Sequence, residues 1–334
     1  MRTPLSVLDL SPVPAGASAA RAVANTLDLA RHAESLGLER FWLAEHHNAG
    51  ALACSAPAVM IAAALAATSR VRVGAGGIML PNHSPLHVAE TFRVLGALHP
   101  GRVDLGVGRA AGTDPKTALA LRQAQELLGA ERFPAQLAEL LDFVSREPDL
   151  GARFGPIKAA PIGVPPPPVF LLGSGPDSAR LAAERGLGYA FAHHIGPDGY
   201  AAAMRLYRSS FQPSPGRAEP YAILTVAAIA AADERAADDL ERAAALGWLR
   251  FGQGLRDLPL PSVAEARAYV FDADEEVLRA QGRGRSFIGE AARVADTLRA
   301  MVAEAQADEL MVVSAVHDHD ERKRSYERLA KALA

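Results

Sequence analysis

The chain of 334 residues has a single cysteine, Cys54, which cannot close an internal disulfide, so nothing ties the protein to an oxidising compartment. It lacks any block of about five or six like charges, and 35 Lys and Arg against 38 Asp and Glu leave a net charge of -3. That balance makes no field to gather phosphate backbones or anionic lipid, so no nucleic acid and no membrane surface is expected as a partner. No apolar run reaches the ~20 residues of a membrane span; the longest are Ala56 to Ala67 and Tyr221 to Ala232. The start, Met1 to Leu10, carries one basic residue and a short apolar run that soon meets Pro12 and Pro14, which reads as a first strand and not as a signal peptide. No self-similarity recurs at about 20 to 50 residues, which excludes a solenoid. A cytoplasmic protein is expected, and 49% hydrophobic with 22% charged residues predicts a globular one.

What is present is an alternation. Short β-branched or aromatic runs are followed by longer alanine-rich stretches of helical period, the pattern of a parallel sheet. Eight runs qualify as strands: Leu5 to Leu10, Arg40 to Ala44, Val71 to Leu80, Val103 to Val107, Pro168 to Leu172, Gly188 to Ala192, Ala222 to Ile229 and Leu310 to Ala315. Eight β/α units predict a (β/α)8 TIM barrel; a doubly wound sheet also alternates, but usually with fewer strands. The helices are punctuated accordingly. The first carries Val23, Leu27, Ala30, Ala33 and Leu36 on one stripe and stops at Gly37, the second opens at Ser55-Ala56-Pro57, and the third at Ser84-Pro85. The segment from Asp320 to Ala334, with Tyr326, Leu329, Ala330 and Leu333 on one stripe, reads as a closing helix. Two stretches exceed a barrel connection, about 110–165 after strand four and about 250–286 after strand seven. Residues 1–334 are therefore expected to form a single domain with two insertions, and insertions of that size are often lids.

Barrel active sites form at the carboxyl ends of strands, so the residues just after each run carry the interest. Glu45-His46-His47-Asn48 follow strand two, Gly76-Gly77 and then Pro81-Asn82-His83 mark the end of strand three, and Gly108-Arg109 end strand four. Gly173-Ser174-Gly175-Pro176-Asp177-Ser178 follow strand five, His193-His194 strand six, and His317-Asp318-His319-Asp320 strand eight. Seven of the 10 histidines thus fall on one rim. Any one of them is more often a packing or surface residue than a catalyst, but His46 stands out because Trp42 and Leu43 bury its strand and Glu45 is there to bias its proton. In an extended segment His46 and His47 point to opposite sides, so only one can face the barrel mouth.

The turn Gly173 to Ser178 runs from strand into helix and offers peptide N–H groups and the Ser178 hydroxyl at a positive helix end, a seat for phosphate. An ordinary turn capped by Asp177 or Ser174 is the plainer reading. Arg109 tips the balance, because a forked donor on the same rim can neutralise a phosphate; its plainer reading is a surface arginine paired with Asp104 or Asp114. The string Gly106-Val107-Gly108-Arg109-Ala110-Ala111 fits a dinucleotide-binding glycine pattern, but Thr113-Asp114-Pro115 caps a separate helix, so the glycines do not run into one.

The strings Trp42 to His47, Val73 to Pro81, Pro85 to Glu90 and Gly101 to Arg109, resumed at Gly173 to Gly186 and Ala307 to His319, resemble the bacterial luciferase-like flavin-dependent monooxygenases. The resemblance implies a catalytic or flavin-contacting histidine at His46, and an FMN site at Arg109, Gly173, Ser174, Gly175 and Ser178. It also implies a non-proline cis peptide at Gly76-Gly77 beneath the flavin ring. Gly108 stands where the light-emitting relative has a cysteine, so light emission is not expected. The implied activity is a two-component monooxygenation of a small organic substrate by dioxygen, with reduced FMN from a separate NAD(P)H:flavin reductase, no metal, and a homodimer. Three other readings remain: a deazaflavin-dependent oxidoreductase on the same fold, a metal-dependent barrel hydrolase using His46, His193, His317 and His319 with Asp318 or Asp320, and a non-enzymatic flavin-binding protein.

Overall fold

Each strand is followed by a helix long enough to return the chain, which forces neighbouring strands to run parallel and buries both faces of the sheet. The computed structural model describes residues 3–110, 112–122, 130–145 and 154–334. The elements are β1 (Leu5–Asp9), α1 (Ala19–Ser35), β2 (Arg40–Leu43), α2 (Pro57–Ala67), β3 (Arg72–Ala75), β4 (Ile78–Met79), α3 (Pro85–Leu98) and β5 (Val103–Gly108). They continue with α4 (Pro115–Arg122), α5 (Phe133–Val144), β6 (Val169–Gly173), α6 (Pro176–Glu184), β7 (Gly188–Ala192), α7 (Tyr200–Ser210), β8 (Ala222–Ala231) and α8 (Glu234–Gly252). The last are α9 (Val263–Ala268), α10 (Ala273–Gly282), β9 (Ser286–Glu290), α11 (Ala291–Ala305), β10 (Glu309–Val313) and α12 (His319–Leu333). β1 pairs with β2 and β10, β10 pairs with β8, and β7, β6, β5 and β3 complete the ring, all parallel. With β3 and β4 sharing one position, this is the expected closed barrel of eight strands, a TIM barrel.

Alternation along the strands sorts side chains into two layers. Val7, Phe41, Val73, Leu105 and Leu224 face the helices in the main core, while Leu8, Trp42, Phe170, Ile223 and Met311 pack inside the ring. The amino end of the interior is plugged by a polar knot of Arg40, Asp104, Glu309 and Tyr221.

Three expectations need correction. Val71 to Leu80 is not one strand: it breaks at Gly76-Gly77 into β3 and β4, then tightens into a single 3-10 turn at Leu80–Asn82. β9 was missed; it pairs with the upper half of β8, which runs two residues past its expected end to Ala231. The buried stripe of α1 is Ala22, Thr26, Leu29, Ala30 and Ala33, leaving Val23, Leu27 and Leu36 at its partly exposed edge. The stop at Gly37 is as expected, with φ of +69°. Both insertions carry helices, α4 and α5 in the first and α9 and α10 in the second, and part of the first lies outside the described residues.

β3 and β5 approach so closely that a Cβ at Gly106 would fall inside the van der Waals envelope of the Ala75 carbonyl oxygen, so only glycine fits. Gly106→Ala is expected to cost about 1–3 kcal/mol, read as a lowered denaturation midpoint; an unchanged midpoint would mean the two strands can part freely.

Candidate active site

At the carboxyl end of the barrel opens a cavity of about 2050 Å³. His46, Gly76, Arg109, Gly173, Ser174, Gly175 and Ser178 all line it, so seven residues singled out from separate strands meet in one place. Gly77 does not; it faces β5, where a Cβ would stand 2.8 Å from the Gly106 carbonyl oxygen. The Gly76-Gly77 peptide is cis, at the position the resemblance implied.

The segment after β2 is built by alternation. Glu45 and His47 turn to one side and His46 to the other, into the cavity. Glu45 does not bias His46 by hydrogen bonding. Its fully buried carboxylate accepts from Met79 N at 2.8 Å and binds His47 Nε2 and His83 Nε2, each at 2.8 Å. Burial alone would raise its pKa, but the bonds and charge from His83, with those from His47 and Met79, hold it below the usual glutamate value. The effect is to pin the chain just past the cis peptide to the end of β2. His46 itself is kept neutral: burial, with His47 adding to it, pulls its pKa down to about 4 against the opposing pull of Glu45. Its Nδ1 is buried with no hydrogen-bond partner among the described residues.

Arg109 is exposed and pairs with neither acid considered for it. Asp104 is held by Arg40, Arg72 and Trp42 at the far end of the barrel, and Asp114 caps α4 through Lys116 N and Thr117 N, each at 3.0 Å. The turn before α6 differs from both readings of it. Its N-cap is Gly175, and neither Ser174 nor Asp177 caps the helix with a side chain. The Ser178 hydroxyl donates to the Gly175 carbonyl at 2.8 Å, so its proton is committed inside the turn, beside Tyr189 OH at 3.2 Å. Peptide N–H groups at the start of α6, with the exposed Ser174, are what the turn offers an anion.

The other rim histidines divide sharply. His193 is buried beside Tyr200 and Phe287, with ring centroids 5.3 and 5.5 Å away. His317 Nε2 meets the Ala15 carbonyl at 2.9 Å and His319 Nε2 meets Asp28 at 2.9 Å. The four histidines of the metal reading therefore do not converge, and among the described residues no three His, Cys, Asp or Glu side chains are grouped as a metal ion would need. His194, by contrast, lines the cavity with His46; histidine at a strand end was the available signal, but it did not separate His194 from its neighbours. The insertion 250–286 supplies an outer wall, including Leu258, Phe271 and Leu278. Its stretch from Arg256 to Leu260 is tied across the mouth by Ala51 N to Arg256 O at 3.0 Å and Leu260 N to Val13 O at 2.8 Å.

Comparison with known proteins gives consistent matches. A family model described as luciferase-like monooxygenase matches residues 3–315. A protein named luciferase-like monooxygenase from Escherichia coli (strain K12) is 41% identical over 324 residues, covering 96% of this chain and 94% of its own. Among solved structures, apo-MsnO8 superposes with a TM-score of 0.88 at 36% identity, covering 99% of this chain and 98% of its own. The oxygenating constituent of 3,6-diketocamphane monooxygenase from Pseudomonas putida, solved in complex with FMN, has a TM-score of 0.71 at 20% identity, covering 100% and 98% of the two chains.

Proposed function

The chain belongs to the luciferase-like monooxygenase family and is an oxidoreductase, and from that premise we propose that it is the oxygenating component of a two-component system, using reduced FMN delivered by an NAD(P)H:flavin reductase to oxygenate a small organic substrate with dioxygen. One observation carries the reading: Arg109, the 173–178 turn, Gly76 and His46 line a single cavity. A flat ring with a phosphate tail suits that set. Arg109 and the first peptide N–H groups of α6 would take the tail, a forked cation and a helix end on the same anion. The ring would lie over Gly76, where a Cβ would already stand 2.5 Å from Leu8 Cδ1. The His46 ring lines this cavity with no hydrogen bond to the protein among the described residues, which fits an imidazole presented to a ligand. When bound, reduced FMN supplies the electrons and activates dioxygen. His46 holds the proton needed at the junction with the substrate, and the apolar wall from 250–286 keeps bulk water out.

Arg109→Ala tests the reading. FMN affinity is expected to fall about 10- to 100-fold, the worth of one charge-assisted contact, with riboflavin affinity unchanged, measured by flavin fluorescence. Equal loss for riboflavin would remove Arg109 from the phosphate. Oxygen uptake with reduced FMN, set beside hydride transfer with a reduced deazaflavin, separates this reading from a deazaflavin-dependent one. A homodimer belongs to the proposal: Val59 of α2 and Leu98 of α3 leave apolar side chains 68% and 64% exposed, surface that a second copy would cover. No helix among the described residues is long and apolar enough to cross a membrane, and a cytoplasmic location is proposed with the rest.

A further inference from the structure

Just past β7, His194 is 9% exposed and its ring lines the same cavity as His46. Its Nδ1 lies 3.4 Å from the Thr225 carbonyl oxygen on β8. A carbonyl can only accept, so Nδ1 carries the proton, and the neutral ring is left with a lone pair at Nε2. That Nε2 has no protein partner among the described residues and is not sealed off by its neighbours, so it opens on the cavity. His46 is the complement. Its Nδ1 is buried without a partner, and an N–H stranded there would be the costlier orphan, so its proton belongs on Nε2.

We propose that His194 is a second catalytic histidine of this cavity, its Nε2 lone pair accepting a hydrogen bond from the bound reactants while the Nε2–H of His46 donates one to them. This rests on the monooxygenase reading of the site. The balance closes: substrate, dioxygen and the two electrons and two protons of reduced flavin give oxygenated substrate, water and oxidised flavin. Both rings stay neutral: His46 gives a hydrogen bond and His194 accepts one, and the protons that move pass between the bound reactants that the two rings hold. The titratable groups acting on His194 are its neighbour His193 in the turn after β7 and His46 across the mouth, and both oppose a second positive charge. Burial pulls the His194 pKa down to about 4, so both rings of the pair enter the cycle neutral.

The first test needs neither variant nor flavin. Imidazole 15N shifts of the cofactor-free protein at neutral pH are expected to give His194 as the Nδ1–H tautomer and His46 as Nε2–H; an Nε2–H tautomer at His194 overturns the proposal. In the second, His194→Gln is expected to raise the His46 pKa in the same spectra, to leave FMN affinity within about threefold, and to lower product formed per flavin oxidised about 100-fold. His193→Gln, a change in a packing residue outside the cavity lining, is the control for general disturbance. Wild-type product yield in His194→Gln, or an unmoved His46 titration, overturns the assignment. If no flavin binds to the parent protein while the tautomers are as expected, it is the FMN reading that fails and not the pairing of the two rings.

Discussion

Replacing His46 by alanine is expected to lower product formation by about 100- to 10,000-fold while leaving FMN affinity within about threefold, the span that loss of a positioned proton donor produces. The separation follows from how the residue is held. Its backbone N–H, not its ring, ties the segment to the Cys54 carbonyl at 3.0 Å, and Glu45 anchors the neighbouring chain through Met79 and the two outward histidines. Alanine keeps all of those bonds and deletes only the imidazole facing the cavity. The quantities to measure are product and hydrogen peroxide per flavin oxidised, because a site that binds flavin without proton control should waste oxygen as peroxide. Unchanged product yield would remove His46 from the mechanism.

The same side chain gives a pH dependence whose sign is fixed. His46 and His194 bind protons in the folded protein only near pH 4, whereas in the unfolded chain they do so near the ordinary 6.5. Between those values the unfolded state holds more protons, so stability rises with pH across the window, is complete above 6.5 and is lost on descending toward 4. His46→Ala should therefore flatten the acid limb of a stability profile as well as stop turnover. Activity of the parent protein should hold down to about pH 5, since neither ring charges above it.

How much of this could be read from residues alone depended on the range of the interaction involved. The eight barrel positions were legible because each is a local run of apolar residues beside a helical stretch, and local pattern is what sequence displays. β9 was not: Ser286-Phe287-Ile288-Gly289-Glu290 is short, contains glycine and follows Gly282-Arg283-Gly284-Arg285, and only pairing with the upper backbone edge of β8 makes it a strand. Alternation required that His46 and His47 diverge, yet which one enters the cavity depends on Glu45 reaching Met79, 34 positions away in sequence. Likewise the Ser178 hydroxyl looked available until the carbonyl of Gly175 came within its reach. The amino-end knot left a faint signal: Arg40, Asp104 and Glu309 are charged residues within otherwise apolar strands, a pattern that calls for partners on other strands.

Replacing Arg40 in that knot by methionine is expected to cost both stability and flavin affinity. Arg40 bonds Glu309, reaches Asp104 Oδ2 at 3.1 Å, and stacks against Phe170 and Tyr221 with its guanidinium carbon 5.6 and 5.3 Å from their centroids. Glu309 also accepts from Ser6 at 2.6 Å and Tyr221 at 2.7 Å, and both carboxylates are fully buried. Arg72 would still neutralise Asp104 in Arg40→Met, but Glu309 would lose its only strong counter-charge among the described residues. Removing one member of a buried ion set costs about 3–5 kcal/mol, because the orphaned charge stays behind, and at this chain length the melting temperature should fall by roughly 4–7 °C. Burial already raises the Glu309 pKa against the pull of Arg40, so the variant's carboxyl should climb further and protonate as pH falls. The loss is therefore expected to be larger at pH 8 than at pH 5, and Arg40→Met combined with Glu309→Gln should recover part of it. The damage should also reach the site, since Trp42 donates to Asp104 at 3.2 Å and its ring lies both on Phe170 and beneath Gly76. Flavin affinity in Arg40→Met should weaken in step with stability, and the double variant should restore both together; a loss below about 1 kcal/mol, equal at both pH values, would mean that water reaches the knot and that it does not support the floor of the cavity.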